Sequence, residues 1–186
     1  MPVTARGVER RERLLRATAE LVAAHGYHGV GIIDIGAAAG VTGSAIYRHF
    51  RTKDELLVAV IDQFVADLED GAAHARSLDE LVAAHIATAL RDRAVIAVYD
   101  QNAHNLPPDD KRRIRRRQRV YVERFVAALL AERADLAPDV ALARVQATFG
   151  LLNSVSDFPS PLPLDEQASV LRVMALAALR CPERSS

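Results

Sequence analysis

The sequence is poor in the residues that stabilise secreted or membrane-embedded proteins. Its 186 residues contain one cysteine and no tryptophan, and only 5% of them are aromatic. The lone Cys181 excludes an internal disulfide, and no apolar run is long enough to cross a bilayer. A basic leader followed by an apolar stretch is also missing. We therefore expect a cytoplasmic protein that does not associate with membranes.

The sequence also lacks the patterns that enzymes use. It has no nucleophile and base at a motif spacing, no glycine-rich phosphate loop and no recognisable carboxylate pair. His25 and His28 lie on either side of a glycine without a cysteine or carboxylate nearby, which is too few ligands for a metal site. We expect no enzyme activity, no cofactor and no metal.

Hydrophobic residues make up 50% of the chain and charged residues 26%. Apolar positions recur every three or four residues between glycine and proline breaks, and no stretch alternates as a strand would. These patterns predict an all-α fold with enough apolar content for a sizeable core.

The segment 32–53 is the most informative part of the chain. It predicts two short helices on either side of Gly40, which can adopt the positive φ that ends a helix, and Thr42 can cap the second helix. The apolar positions that face each other are Ile32, Ile35, Ala39, Val41, Ile46 and Phe50. The small residues Ala37, Ala38, Ala39 and Ala45 would let the two helices approach closely. This pattern predicts a helix-turn-helix unit.

The second helix carries side chains suited to a nucleic-acid backbone. Tyr47 and His49 are aromatic residues with polar tips, Ser44 is a small hydrogen-bonding residue, and Lys53 opens the next helix. The alternative interpretation is that Tyr47 and Phe50 belong to the core and that His49 is merely solvated.

A dense series of short motifs lies within roughly residues 8–60, namely Gly26-Tyr27, Asp34-Ile35-Gly36, Ala39-Gly40-Val41-Thr42, Ile46-Tyr47-Arg48-His49-Phe50 and Lys53-Asp54-Glu55-Leu56. With these motifs, the region resembles the DNA-binding domain of the tetracycline-repressor (TetR) family of bacterial regulators. The resemblance implies a three-helix DNA-binding domain, joined by a fourth helix to a larger helical domain that binds a ligand and dimerises.

The resemblance also assigns roles to single positions. Tyr47, His49 and Lys53 match positions that contact phosphates. Thr42, Gly43, Ser44 and Arg48 match positions that face base edges or nearby phosphates in the major groove. Three residues depart from the family pattern. Gly31 replaces a hydroxyl residue that would cap the helix and contact phosphate, Ile33 occupies a site that is a base-reading Arg or Lys in some members, and Gly43 has no side chain. Base reading is therefore expected to depend on Ser44 and Arg48, together with DNA shape.

Charge and helix signals set the expected domains. Residues 1–53 carry eight basic and four acidic side chains, and because the whole chain is neutral, the remainder carries a net charge of −4. This asymmetry orients the N-terminal region toward DNA. We expect a first helix from about Val8 to His25, a DNA-binding domain over 1–53, a linking helix over 53–70 that opens with a Thr52–Glu55 capping box, and an effector-binding and dimerisation domain over 71–186.

Single polar groups interrupt the apolar helices of the C-terminal region. They are His85, Tyr99, Asn102, Tyr121, Gln146 and Asn153. A mainly apolar pocket with a few polar tips would suit a small-molecule effector, as the resemblance also implies. The alternative is that each is an ordinary core or surface residue.

An arginine-rich run extends from Lys111 to Arg119 at the start of a helix. Like charges repel there, and the helix dipole disfavours cations at that end. Asp109 and Asp110 can offset them locally. The sharper hypothesis is that Arg116 and Arg119 meet the phosphates of an effector such as an acyl-coenzyme A, whose tail would enter the apolar pocket.

The last two helices have apolar stripes wide enough for self-association. The residues expected at a dimer interface are Phe149, Leu152, Leu171, Met174, Ala175 and Ala178. A two-fold dimer would read a palindromic double-stranded operator and, as the family implies, would repress transcription until an effector binds. Alternatively, these stripes close the core of the chain itself, or the C-terminal region is an independent binding or catalytic module.

Overall fold

The computed structural model describes residues 5–158 and 160–182. These residues form helices and no strand, so the prediction of an all-α fold is confirmed. The elements are α1 (Ala5–His25), α2 (Ile32–Ala39), α3 (Gly43–Tyr47), α4 (Lys53–Ala73), α5 (Leu78–Arg91), α6 (Arg93–Asn102), α7 (Pro108–Glu132), α8 (Pro138–Asn153), a short 3-10 turn (Ser154–Ser156) and α9 (Leu164–Arg180). Among the described helices, none is both long and apolar enough to span a bilayer.

Side-chain caps fix where α4 and α5 begin. The hydroxyl of Thr52 accepts from the backbone N–H of Glu55 at 3.1 Å, and Ser77 caps α5 in the same way. The Glu55 carboxylate accepts from the N–H of Arg51, one residue before the position that a standard capping box uses. The predicted cap is confirmed, and its reciprocal bond is shifted by one residue.

The helices gather into two compact units. Of the described residues, the head contains those up to Phe64 together with Ala94–Arg112, and the body contains Val65–Arg93 and those from Arg113 onward. The sequence patterns gave no indication that the segment 94–112 would join the head. A long-range apolar contact explains this placement, because Val95 is buried in the same core cluster as Leu14 and Ile46.

The head core consists of aliphatic side chains from α1, α2, α3 and α4, together with Val30 of the loop after α1 and Val95 of α6. Ile35 and Leu56 are fully buried, and Ile46 is 1% exposed. Partly buried neighbours, among them Ile32, Val41 and Phe50, pack around this cluster. The stripe expected for facing helices is thus confirmed.

In the body, α5 packs against α8 and α9, and α8 packs against α9. At one end of the body, Arg180 of α9 forms ion pairs with Asp79 of α5 and with Glu132 of α7. Arg144 of α8 donates to the backbone carbonyl of Leu179 at 3.1 Å, where α9 ends. This contact satisfies a carbonyl that the end of a helix leaves without a partner.

Candidate nucleic-acid interface

The turn between α2 and α3 depends on two glycines. Gly40 has φ 67°, in the left-handed region, and its N–H donates to the carbonyl of Ala37. A Cβ on Gly36 would lie 2.7 Å from the carbonyl oxygen of Val41, which no real side chain tolerates. The close approach of the two helices therefore needs Gly36, where the sequence pattern pointed to alanines. Ala37 and Ala38 are in fact exposed, whereas Ala39 and Ala45 are buried.

Thr42 begins α3 as predicted. Its hydroxyl accepts from the N–H of Ala45 at 3.2 Å and lies 3.1 Å from the hydroxyl of Ser44. Ala45 and Ile46 turn into the core of the head, which leaves the other residues of this helix facing outward. The helix is therefore anchored along one side only.

The side chains expected to contact DNA lie on that outward side. Tyr47 is 58% exposed, and Thr42, Ser44, Arg48 and His49 lie at the surface as well. Gly43 lies between them at the first position of α3. Of the two residues that the alternative interpretation placed in the core, only Phe50 packs partly against the head cluster, and the exposure of His49 is consistent with both interpretations. The outward set offers hydroxyl, phenol, imidazole and guanidinium groups on one short helix and the residues just after it.

Lys53 makes contacts within the head that the sequence analysis did not predict. Its ammonium donates to the carbonyls of Tyr27 at 2.6 Å and of Val30 at 2.9 Å, and it lies 4.1 Å from the centre of the Tyr27 ring. Two of its three N–H donors therefore hold the α1–α2 turn against the start of α4. Tyr27 in turn donates to Asp54, and burial, followed by this hydrogen bond, raises the pKa of its phenol. Lys53 is a structural tie in the head with one donor left for another partner.

In the body, three of the six predicted effector residues meet around one imidazole. His85 is 2% exposed, its Nδ1 lies 3.1 Å from the Tyr121 hydroxyl, and its Nε2 lies 3.2 Å from Asn153 Oδ1. Because an amide oxygen only accepts, Nε2 carries the hydrogen and Nδ1 accepts from the Tyr121 hydroxyl. Burial lowers the pKa of His85 to about 4, so the ring is neutral, and burial raises the pKa of Tyr121.

Two phenylalanines complete this aromatic cluster, which we define as His85, Tyr121, Phe125 and Phe149. The ring of Phe149 stacks on His85 with centroids 4.7 Å apart, and Phe125 meets Phe149 edge to face at 4.8 Å. Phe149, which was expected at a dimer interface, is partly buried, and its ring packs within this cluster. No local pattern indicated this, since the four residues come from three helices.

The other three predicted effector residues lie elsewhere. Tyr99 and Asn102 belong to α6, where the buried amide of Asn102 donates to the carbonyl of Val98 at 2.9 Å. Gln146 is exposed on α8. Thr148 carried no signal in the sequence, yet it is 1% exposed and its hydroxyl has no hydrogen-bond partner within the part of the chain that the structure describes.

The expected dimer residues divide into two groups. Leu152 and Ala175 are fully buried, and Leu171 is 9% exposed, so these three close the core of the chain itself. Met174 is 50% exposed and Ala178 is exposed. Further exposed apolar residues on the same two helices include Leu142 on α8 and Val170 and Val173 on α9.

The arginine-rich run is only partly neutralised. Arg112 pairs with Asp109, as the local explanation expected, and Arg117 makes a two-pronged ion pair with Glu69 at 2.6 and 3.0 Å. Arg116 and Arg119 are exposed, and no acidic partner accompanies them among residues 5–158 and 160–182.

Comparison with known proteins gives consistent matches along the chain. A model of the bacterial regulatory proteins of the tetR family matches residues 14–60, and a model of the tetracyclin repressor-like C-terminal domain matches residues 70–157. The HTH-type transcriptional activator FasR of Mycolicibacterium smegmatis is 40% identical over 67 residues, which are 36% of this chain and 31% of FasR. The aligned part thus spans less than a third of that relative.

Solved structures share the fold at low identity. PfmR of Thermus thermophilus, a TetR family transcriptional regulator, superposes with a TM-score of 0.77 at 20% identity, over 92% of this chain and 100% of that one. AibR, solved in complex with isovaleryl coenzyme A and operator DNA, gives a TM-score of 0.69 at 19% identity, over 89% of this chain and 97% of that one.

Proposed function

Because the chain belongs to the tetR family of bacterial regulatory proteins, which are DNA-binding transcriptional regulators and not enzymes, we propose that it represses transcription as an operator-bound homodimer that a small molecule releases. The observation that carries the proposal is the row of outward-facing polar side chains on and just after α3, a helix held to the head by Ala45 and Ile46. We place this regulator in the cytoplasm, where its DNA lies.

We assign the contacts of the head from the family positions that these residues match, together with the chemistry of each side chain. Tyr47 and His49 reach phosphates, and the remaining ammonium donor of Lys53 can add a third contact. Arg48 and Ser44 reach base edges, where a guanidinium prefers guanine and a hydroxyl tolerates several bases. Thr42 holds α3 in place, and the bare backbone at Gly43 permits a close approach. Residues 1–53 act as the DNA-binding domain and residues 71–186 as the effector and dimer domain.

The homodimer is built from the open faces of α8 and α9. Val173 is 67% exposed and Val170 47%, and together with Met174 and Leu142 they make an apolar surface that water disfavours. Two such pairs of helices would form a four-helix interface with two-fold symmetry. A two-fold protein reads a palindrome whose half-sites are spaced by turns of the DNA helix.

The effector site lies at the aromatic cluster of the body. A neutral imidazole, a phenol and the Asn153 amide supply polar groups among aromatic rings. On α8, one residue before Phe149, the buried Thr148 hydroxyl has no hydrogen-bond partner within the described part of the chain, although buried polar groups almost always have one. A ligand that binds one arrangement of these groups better than another would shift the population away from the DNA-binding state.

The exposed Arg116 and Arg119, which have no acidic partner among the described residues, favour a phosphorylated effector. Guanidinium groups bind phosphate oxygens through charge-assisted hydrogen bonds, and Arg116 and Arg119 are one turn apart on α7. AibR, which shares the fold, was solved with isovaleryl coenzyme A. We propose an acyl-coenzyme A or a similar lipophilic phosphate ester. Replacing Arg116 and Arg119 by glutamate is expected to weaken release by coenzyme A esters and to leave operator affinity unchanged, and an undiminished response would contradict this assignment.

Selection of bound duplexes from a random pool tests the central proposal. We expect the selected duplexes to contain a palindrome and the affinity to fall steeply as the salt concentration rises. The slope of log affinity against log salt concentration should become smaller by about one for each phosphate contact that a substitution removes. A reporter downstream of the selected site then distinguishes repression from activation, the role for which FasR is named. A protein that selects no sequence at physiological salt would favour the competing view, in which the body is a separate binding or catalytic module.

A further inference from the structure

Ile33 is the most exposed large apolar residue among the described residues of the head. It is 80% exposed at the second position of α2, whereas Ile35 of the same helix is fully buried. A single exposed apolar side chain is common on protein surfaces and means little by itself. Its position gives it meaning, because it lies beside the start of the helix that we assign to the major groove.

The neighbourhood of Ile33 is defined by Gly43. A Cβ placed on Gly43 would lie 4.0 Å from Cγ1 of Ile33 and 3.9 Å from Cγ2 of Ile32. Ile33 is therefore in reach of the first residue of α3, and the missing side chain at Gly43 leaves it uncovered. The adjacent surface residues, Thr42 and Ser44, are short and polar. One large apolar group thus projects next to the backbone at the entry of α3.

An isoleucine side chain cannot form a hydrogen bond with a base, so only apolar contact remains to it. In the major groove, the C5-methyl group of thymine is the apolar group that a base pair presents. We propose that Ile33 reads one thymine in each operator half-site by packing against this methyl group. The proposal rests on the DNA-binding function given above and names a specificity residue for it.

Deoxyuridine provides a direct test, since it pairs like thymidine and lacks only the methyl group. After the operator has been selected, each thymine of one half-site is replaced in turn, and affinity is measured for the full-length protein. We expect one position per half-site at which affinity falls about fourfold, the effect of one lost methyl contact of ~0.8 kcal/mol. Replacement in both half-sites should give about 16-fold, since independent contacts add.

Three variants separate a contact from an indirect effect. Ile33→Ala is expected to lose the uracil sensitivity at that position and to keep the sensitivities elsewhere, and Ile33→Leu should retain most of it. Phe158→Ala is the matched control, because Phe158 is 72% exposed on the loop before α9 and should leave the whole profile unchanged. Thermal unfolding verifies that each variant is folded. Since the side chain of Ile33 is 80% exposed, we expect its replacement to leave the melting temperature unchanged.

The possible outcomes are distinct. A uracil-sensitive position that disappears in Ile33→Ala supports the proposal. An operator without a uracil-sensitive thymine, or a variant that keeps the full sensitivity, overturns it while leaving operator binding established. Failure to select any operator would instead contradict the proposed function itself.

Discussion

The head and the body each contain a tyrosine and a histidine that the sequence singled out, and the fold treats the two pairs in opposite ways. Tyr47 is 58% exposed beside the exposed His49, whereas Tyr121 is 7% exposed and His85 2%. In the head, both side chains are exposed to solvent. In the body, Tyr121 and His85 are hydrogen-bonded to each other and packed against the rings of Phe125 and Phe149.

This contrast shows that residue type alone does not identify a binding group. Around Tyr47, the neighbours in sequence already decide its orientation, because Ala45 and Ile46 occupy the buried side of a five-residue helix. The partners of Tyr121 lie 36 residues away at His85 and on a third helix at Phe149. The first environment is local and the second arises only when the helices pack.

The largest expected effect tests how tightly the body cluster is packed. Phe125 is fully buried and contacts the other three rings, so Phe125→Ala should lower the free energy of unfolding by about 3–5 kcal/mol. Urea denaturation measures this loss. The exposed Phe158→Ala provides the control and should change the same quantity by less than about 0.5 kcal/mol. Equal losses in the two variants would show that the cluster is loose.

A somewhat smaller effect is expected from pH, through His85. Burial lowers its pKa from 6.5 to about 4, so between these values the unfolded chain binds more protons than the folded one. The free energy of unfolding should therefore fall as the pH is lowered from 6.5 to 4, by about 3 kcal/mol in total. His85→Phe is expected to flatten this part of the stability profile. A variant with the wild-type slope would assign the dependence to other groups.

Lys53 combines hydrogen bonds within the head with a proposed phosphate contact, and a pair of variants can separate these two roles. Lys53→Met removes two hydrogen bonds from an ammonium group and should lower the free energy of unfolding by about 1.5 kcal/mol, as well as weakening operator binding. His49→Ala should weaken operator binding and flatten its salt dependence by about one unit without changing stability. If Lys53→Met leaves the unfolding midpoint unchanged, the structural tie is not significant in solution.

The smallest effect concerns the cap of α3. Thr42→Ala removes the hydroxyl that accepts from the N–H of Ala45 and should lower stability by about 1 kcal/mol. Thr42→Ser keeps the oxygen and serves as the matched control. Differential scanning calorimetry on both variants checks this prediction, and similar melting temperatures for the two would indicate that the hydroxyl does not act as a cap.

Much of the head was predictable from local sequence. Gly40 adopts the predicted positive φ, Thr42 and Thr52 cap their helices, and the apolar stripe of α2 and α3 is buried where periodicity placed it. The helix expected from Val8 begins at Ala5, and the linking helix runs to Ala73 rather than 70. Such features depend on residues within one or two turns, which is why a linear pattern predicts them.

Other features depended on contacts between distant segments. The tie of Lys53 to Tyr27 spans 26 residues, and the inward turn of Phe149 and the burial of Leu171 follow from which helices meet in the body. Periodicity tells that a helix has an apolar face and leaves open whether that face meets the chain's own helices or a second copy. The amino-acid order by itself therefore determined the helical class, the caps and the helix-turn-helix unit of the head, because those depend on neighbours in the sequence. Only tertiary packing decided which polar groups face solvent and which are enclosed, because burial is a property of the assembled helices.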